Sequence, residues 1–182
     1  SQRRSFVHRL VVLIYARKSR LRPVAQSDYA YLYALALRNP DTWVHRGATP
    51  SPEEYPRRLW NDVLAQFVIE EMPSGQPAGL VSVLAPNFRD GYAYLNVLLD
   101  ERVHGRVWPF SAVGECILYA FRHWNLRKLY AEMMRPAFNR VASGAEGKVR
   151  LFEVEACLPE HAYLNGEYVD LVVLAFYRDR FT

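Results

Sequence analysis

Apolar positions along the chain recur at intervals that switch between two residues and three or four, and each switch marks a predicted element. Phe6 to Tyr15 and Leu21 to Val24 read as extended segments. Ser27 then stands where it can cap a helix rich in Ala, Leu and Tyr that runs to about Asn39, with Pro40 ending it. A sharper start signal is Ser51-Pro52-Glu53-Glu54. The capping Ser, the Pro at the first helical position and the Glu at the third satisfy orphan amides and predict a short helix to about Asn61. Phe67 to Glu71 and Ala78 to Leu84 flank a turn at Pro73 to Pro77, and Tyr92 to Leu99 follows Asn87 to Gly91. These three runs predict an antiparallel meander.

Phe110, Val113, Ile117, Ala120, Phe121 and Trp124 form a stripe at helical spacing, which predicts a core-facing helix from about Pro109 to Trp124. Lys128 to Met133 reads as a further strand and Phe138 to about Ala145 as a short polar helix. Leu151 to Tyr163 and Glu167 to Tyr177 read as a closing hairpin, with Asn165-Gly166 as its two-residue turn. This order of strand, two helices, three strands, helix, strand, helix and two strands is a mixed α+β arrangement, not a doubly wound sheet.

Composition narrows the picture only a little. A chain of 182 residues, 51% of them apolar, fits one domain over 1–182, with 1–18 as an extra strand or arm. Lys and Arg are spread along the chain, so the net charge of +4 does not point to nucleic acid and equally suits an anionic small ligand such as a nucleotide phosphate. An alternative in which the arm carrying Arg3, Arg4, Arg9 and Arg17 binds nucleic acid requires a strong salt dependence. Cys116 and Cys157 are the only cysteines. They supply neither a disulfide framework nor a zinc site, and a reducing, cytoplasmic compartment is the expectation. The apolar run Leu10 to Tyr15 is far below the roughly 20 residues that a bilayer needs, so no membrane partner is expected.

Several residues in this order resemble the GNAT superfamily of acyl-CoA N-acyltransferases, especially the relatives of the ribosomal-protein N-terminal acetyltransferases. Leu21-Arg22-Pro23-Val24 followed by Ser27-Asp28 resembles the family's opening strand and first helix. Leu99 to Val107 resembles its phosphate-binding turn, in which Arg or Gln is followed after two residues by Gly, and after one more by Gly or Ala. Arg102 and Gly105 fit that pattern and Val107 departs from it. Tyr119-Ala120-Phe121, the turn Asn125 to Leu129, the pair Asn139 and Ser143, and the ending His161 to Asp170 are similar to the same branch. The resemblance implies a GNAT fold: a central, mostly antiparallel twisted sheet of six to seven strands flanked by about four helices. It also implies acetyl-CoA or another acyl-CoA as co-substrate, with no metal.

The turn has its own physics. A loop that leaves a strand and enters a helix offers unpaired amides and the positive end of the helix dipole, which favour an anion. Gly105 permits close backbone approach, Arg102 and Arg106 add charge, and Pro109 pre-sets the first helical turn. The coenzyme site that the resemblance implies runs through Leu98, Arg102, Gly105, Arg106, Val107, Trp108, Phe110 and Ser111, with Asn139 joining from the next helix.

By resemblance, the activity is transfer of an acyl group to a primary amine of a peptide or small metabolite by direct attack. Such chemistry needs an oxyanion donor, a proton acceptor and an acid for the thiolate. The backbone amide near Leu98 is the expected oxyanion donor, and Ser143 is the candidate acid. The strand from Tyr92 to Leu99 contains no carboxylate or histidine, so a water relay driven by Glu70 or Glu71 on another strand is the candidate base, with Glu70 preferred and His104, expected beside the phosphates, as the other titratable group. The alternative is a GNAT-fold acyl-CoA-binding or scaffold protein without chemistry. The hairpin and the extra strand offer edges for a homodimer.

Overall fold

The structure is a computed structural model that describes residues 18–39, 49–144 and 151–181; the predicted strand Phe6 to Tyr15 lies outside the described residues. Seven strands form one sheet: β1 Ser19–Pro23, β2 Val63–Glu71, β3 Gln76–Asn87, β4 Tyr92–Leu99, β5 Lys128–Met134, β6 Glu153–Leu164 and β7 Glu167–Tyr177. Their spatial order is β1-β2-β3-β4-β5-β7-β6. Every neighbouring pair is antiparallel except β4 and β5, which run parallel. Among the described residues, four α-helices accompany them: α1 Tyr29–Arg38, α2 Tyr55–Leu59, α3 Pro109–His123 and α4 Arg135–Gly144. Among the described residues, no helix is long and apolar enough to cross a membrane.

Period-two alternation in the strands gives the sheet two unlike faces. On one face α3 lays Trp108, Ala112, Cys116, Ile117 and Phe121 against Val81, Val83, Ala93 and Leu95, all buried. Of the stripe read from helical spacing, Val113, Ile117, Ala120 and Phe121 are buried here, whereas Phe110 is exposed and Trp124, just past the helix, is half-buried; full burial of one such large side chain contributes roughly 2–3 kcal/mol. Burial pushes the Cys116 thiol up to about 12, which leaves it a neutral core side chain. On the other face α1 and α2 bring Leu32, Leu35, Tyr55 and Leu59 onto Leu80 and Leu98.

Two helix starts differ from expectation in instructive ways. The box at Ser51 closes as predicted: the Glu54 amide donates to Ser51 Oγ at 3.3 Å, and the Ser51 amide to the Glu54 carboxylate at 3.3 Å. Ser27, however, does not cap α1. A short 3-10 turn over Gln26–Asp28 precedes that helix, and it is Asp28 that organises the entry by accepting the Ala25 amide at 2.7 Å. A second pull decides this, because Arg22 clamps the same carboxylate from β1 at 2.7 and 2.9 Å. α4 begins at Arg135, three residues before the predicted Phe138. The closing turn is as read, with Asn165 and Gly166 at φ 52° and 94°, the pair of positive angles that a two-residue hairpin needs.

Candidate active site between the splayed strands

β4 and β5 are partners at only three registers, Tyr92 with Lys128, Ala93 with Leu129 and Tyr94 with Tyr130. Beyond Tyr94 they part. β5 stays with β7 out to Met134, so a wedge-shaped gap opens between Leu95–Leu99 of β4 and Ala131–Met134 of β5. Lys128 pins the closed end. Its ammonium is bound by both Glu155 carboxylate oxygens at 2.9 Å and lies 4.4 Å from the centre of the Tyr130 ring. Burial pulls the Lys128 pKa down, but contact with Tyr130 and Glu155 outweighs it and holds the ammonium charged.

Strand alternation decides which amides face the gap. The Asp100 amide donates to Ala78 of β3, and the Lys128 amide reaches the Gly91 carbonyl from the β5 side. Even-numbered backbone groups of β4 therefore point to β3 and odd-numbered ones to β5. Leu98, opposite Leu80, spends its amide on β3 and does not present it to the gap. Leu95, Val97 and Leu99 turn theirs towards it. This corrects the expectation for Leu98 by one residue.

The turn from β4 into α3 is built as an anion cradle. Asp100 accepts the Arg102 amide at 3.2 Å and nucleates a 3-10 turn over Glu101–Val103, and the Arg106 amide returns to the Val103 carbonyl at 3.1 Å. Gly105 sits between them at φ +76°, in the left-handed region, with open space where a Cβ would stand. Among the described residues, nothing accepts from the amides of Gly105, Val107 or Trp108, and α3 starts at Pro109 with no side chain capping it. Arg106, Val107 and Phe110 are exposed at this end. Val107, where the resembled pattern has Gly or Ala, is among these exposed side chains.

Three other predicted residues are otherwise engaged. The Arg102 guanidinium donates to Glu71 at 2.7 Å and to the Pro77 carbonyl at 2.6 Å, tying the turn to the β2–β3 hairpin instead of facing the cradle. Ser111 is buried and donates to the Trp108 carbonyl at 2.7 Å, with Ser19 Oγ 3.0 Å away, so it joins α3 to β1. Trp108 is itself packed in the core under α3. Asn139 is exposed on α4; the side chain of Ser143, in the last turn of that helix, lies outside the described residues.

Glu70 is buried and fully engaged. Arg20 donates to one carboxylate oxygen at 2.8 and 2.5 Å, and Arg22 to the other at 2.6 Å. Burial pushes its pKa up, but the hydrogen bonds from Arg22 and Arg20 outweigh it and hold it below the ordinary 4.5. A carboxylate so clamped is a poor proton acceptor. Its place is in a structural network with Asp28, which Arg22 likewise holds below its usual range.

The face opposite α3 carries Tyr92 and Tyr94, which the sequence offers as aromatic walls, together with Tyr130, Glu132, Gln66, Ser82 and Asn96, which sequence reasoning did not single out. Tyr92, Tyr94 and Tyr130 cluster with ring centres 5.5–6.1 Å apart where the gap begins. By alternation Glu132, the next residue of β5 on this face, stands beside the opening. Burial and then the Glu132 charge raise the Tyr94 pKa. Next to this cluster a cavity of about 510 Å³ lies between α2 and strands β2, β3 and β4. It reaches Leu98, and its floor includes the buried polar side chains Gln66, Ser82 and Asn96.

No family model matches the chain, and no curated protein sequence does so significantly. Solved structures do. The chain is similar to the spermidine/spermine N-acetyltransferase SpeG from Vibrio cholerae in complex with manganese ions, at 20% identity over 92% of this chain and 96% of that one, with a TM-score of 0.73. It is also similar to the spermidine N-acetyltransferase from Vibrio cholerae in complex with CoA and spermine, at 19% identity over 90% and 98% of the two chains, with a TM-score of 0.75. At these identities the likeness is one of fold, and the fold is that of the GNAT acyltransferases.

Proposed function

We propose that the chain transfers an acyl group from acyl-CoA, with acetyl-CoA as the reference donor, to a primary amine by direct attack on the thioester. The observation that carries this reading is a gap between β4 and β5 that opens beside an uncapped helix start with outward-facing amides. The turn from Gly105 to Trp108, with Arg106, receives the pyrophosphate. The pantetheine arm lies in the gap, and the amine arrives from the face opposite α3. The similarity to a structure that holds CoA supports the same placement.

As the amine nitrogen bonds to the thioester carbon, the carbonyl oxygen gains charge, then the C–S bond breaks and the thiolate leaves. The Val97 amide is the donor for that oxyanion, and a group of this kind is typically worth about 10²–10³ in rate. Glu132, through a water, accepts the ammonium proton in place of Glu70. Ser143, on the helix that follows β5, protonates the thiolate, with Asn139 beside the coenzyme. The sheet edge at β6, exposed along most of its length, suits pairing with a second copy. A cytoplasmic homodimer is expected, and light scattering on the eluting protein reads its mass.

Calorimetry with acetyl-CoA and desulfo-CoA tests the assignment. Micromolar binding is expected in the wild type. Gly105→Glu, which sets a carboxylate against the pyrophosphate, should weaken it more than about a hundredfold, or roughly 2.7 kcal/mol. A folded wild type that takes up no coenzyme would instead support a scaffold without chemistry.

A further inference from the structure

The cavity beside Leu98 has a floor that apolar strand faces do not need. Gln66, Ser82 and Asn96 are successive cross-strand partners on β2, β3 and β4, so they form one polar row across the sheet. All three are buried, with relative exposures of 5%, 2% and 7%, and they sit among leucines. Ser82 Oγ contacts Gln66 Oε1 at 3.4 Å, and Gln66 Nε2 is buried without a hydrogen-bond partner. Leaving a buried amide N–H unsatisfied is unfavourable, so a native fold that keeps one calls for a group that accepts from it. The facing wall carries Arg57 and Arg58, exposed residues of α2.

An unsatisfied donor opposite the exposed Arg57 guanidinium selects an acceptor group with negative charge. A polyamine is the wrong complement, since it would bring further cations to a wall that is already positive. From the proposed function, on which this inference rests, the amine must reach the gap near Leu98. Gln66 lies two strands away from Asn96, and two interstrand spacings are about 10 Å. Hydrogen bonds at each end occupy part of that span. The amine and the anionic group of one ligand are therefore several bonds apart, and the volume of about 510 Å³ suits a small molecule.

We propose that this cavity is an acceptor subsite for a small amino carboxylate, with the carboxylate received by Gln66 Nε2 and Arg57 and the amine delivered towards β4. The substrate class is thus an amine that carries a carboxylate several bonds away, in contrast to spermidine. Gln66 is its specificity-determining residue. Ser82 holds the Gln66 carboxamide, and Asn96 lines the path to the gap.

The test compares 4-aminobutanoate and 6-aminohexanoate with butylamine, hexylamine and spermidine. Two readouts are taken: calorimetric binding to the CoA-loaded protein, and thiol release from acetyl-CoA. At least one amino carboxylate should bind and react at least tenfold better than its matched amine and better than spermidine. Gln66→Leu should erase that preference with coenzyme affinity unchanged. Gln66→Glu, nearly isosteric and so less exposed to misfolding, should reverse it in favour of the amines, and Arg57→Ser on the exposed wall should reduce it about threefold. Equal use of both classes, a preference for spermidine, or no uptake of either amino carboxylate by a protein that binds CoA would overturn the subsite alone. Loss of CoA binding in the wild type would overturn the acyltransferase reading beneath it.

Discussion

The two sides of the gap between β4 and β5 are made of different material. On the side proposed for the coenzyme the exposed groups are backbone amides from one continuous stretch, residues 100–111, shaped by Gly105 and the start of α3. On the side proposed for the acceptor they are side chains, brought together from β2, β3, β4 and β5 by register. A site made of backbone survives side-chain change as long as the path of the chain is kept. A site made of side chains can be rewritten one residue at a time. The solved structures similar to this chain keep its fold at 19–20% identity, and the acceptor side is where divergence between such proteins is free to act.

The sharpest way to break that contrast is to move the backbone itself. Gly79 of β3 has no room for a side chain: a Cβ there would stand 2.4 Å from the Leu98 carbonyl oxygen. Gly79→Ala must push β3 and β4 apart where the gap is widest, at a cost of about 2–3 kcal/mol. The melting temperature should fall by roughly 5–10 °C, and kcat should drop more than KM rises, because the Val97 amide shifts with its strand. Unchanged melting and turnover would mean that β4 can yield without disturbing the gap, and the backbone account of this side would fail.

What the sequence made legible follows the same division. The strand–turn–helix proposed for the coenzyme could be read because its parts are adjacent: the end of β4, Arg102, Gly105 and Pro109 follow one another closely along the chain. The α3 stripe and the Asn165-Gly166 turn were equally local and equally readable. Gln66, Ser82 and Asn96 each look like a lone polar residue in an apolar run, and only the register of three strands turns them into a row. Glu132, the base proposed above, was hidden because the search stayed on β4 and on β2, which β3 separates from β4, and never turned to the parallel partner β5. The Leu98 expectation missed by one residue because which amide faces the gap is set by hydrogen-bond alternation, and composition carries no trace of that. Glu70 and Arg102 were read as functional charges, yet each has found a partner that no local pattern announced.

Glu70 gives the next largest effect, and its sign separates scaffold from catalyst. Its carboxyl is held below 4.5 in the folded protein, so the stability that it contributes is present in full at neutral pH. That stability is lost as pH falls below 4.5 and through the folded value, with Asp28 following from its own ordinary 3.8. Glu70→Gln should cost about 2 kcal/mol at pH 7, at the lower end for a buried pair because Arg20 is half exposed. The difference from the wild type should shrink steadily on acidification to pH 3.5, read by denaturant titration. If the variant instead kept its stability and lost kcat at every pH, Glu70 would be the base after all.

The smallest expected effect concerns two arginines that the sequence treats alike and the fold separates. Arg106 is exposed beside the amides of Gly105 and Val107, with no ion pair among the described residues. Arg102 is committed to Glu71 and the Pro77 carbonyl. Arg106→Ala should weaken coenzyme binding about tenfold, near 1.4 kcal/mol, and should flatten the loss of affinity with added salt, since a solvent-exposed contact to phosphate is screened. Arg102→Ala should change affinity by less than about threefold and leave the salt dependence as it was, because surface pairs of its kind contribute roughly 0–1 kcal/mol to stability and nothing directly to the ligand. Calorimetry of both variants at two ionic strengths decides the matter. Equal losses would mean that Arg102 leaves Glu71 when the coenzyme arrives, and the cradle would then owe as much to side chains as the acceptor face does.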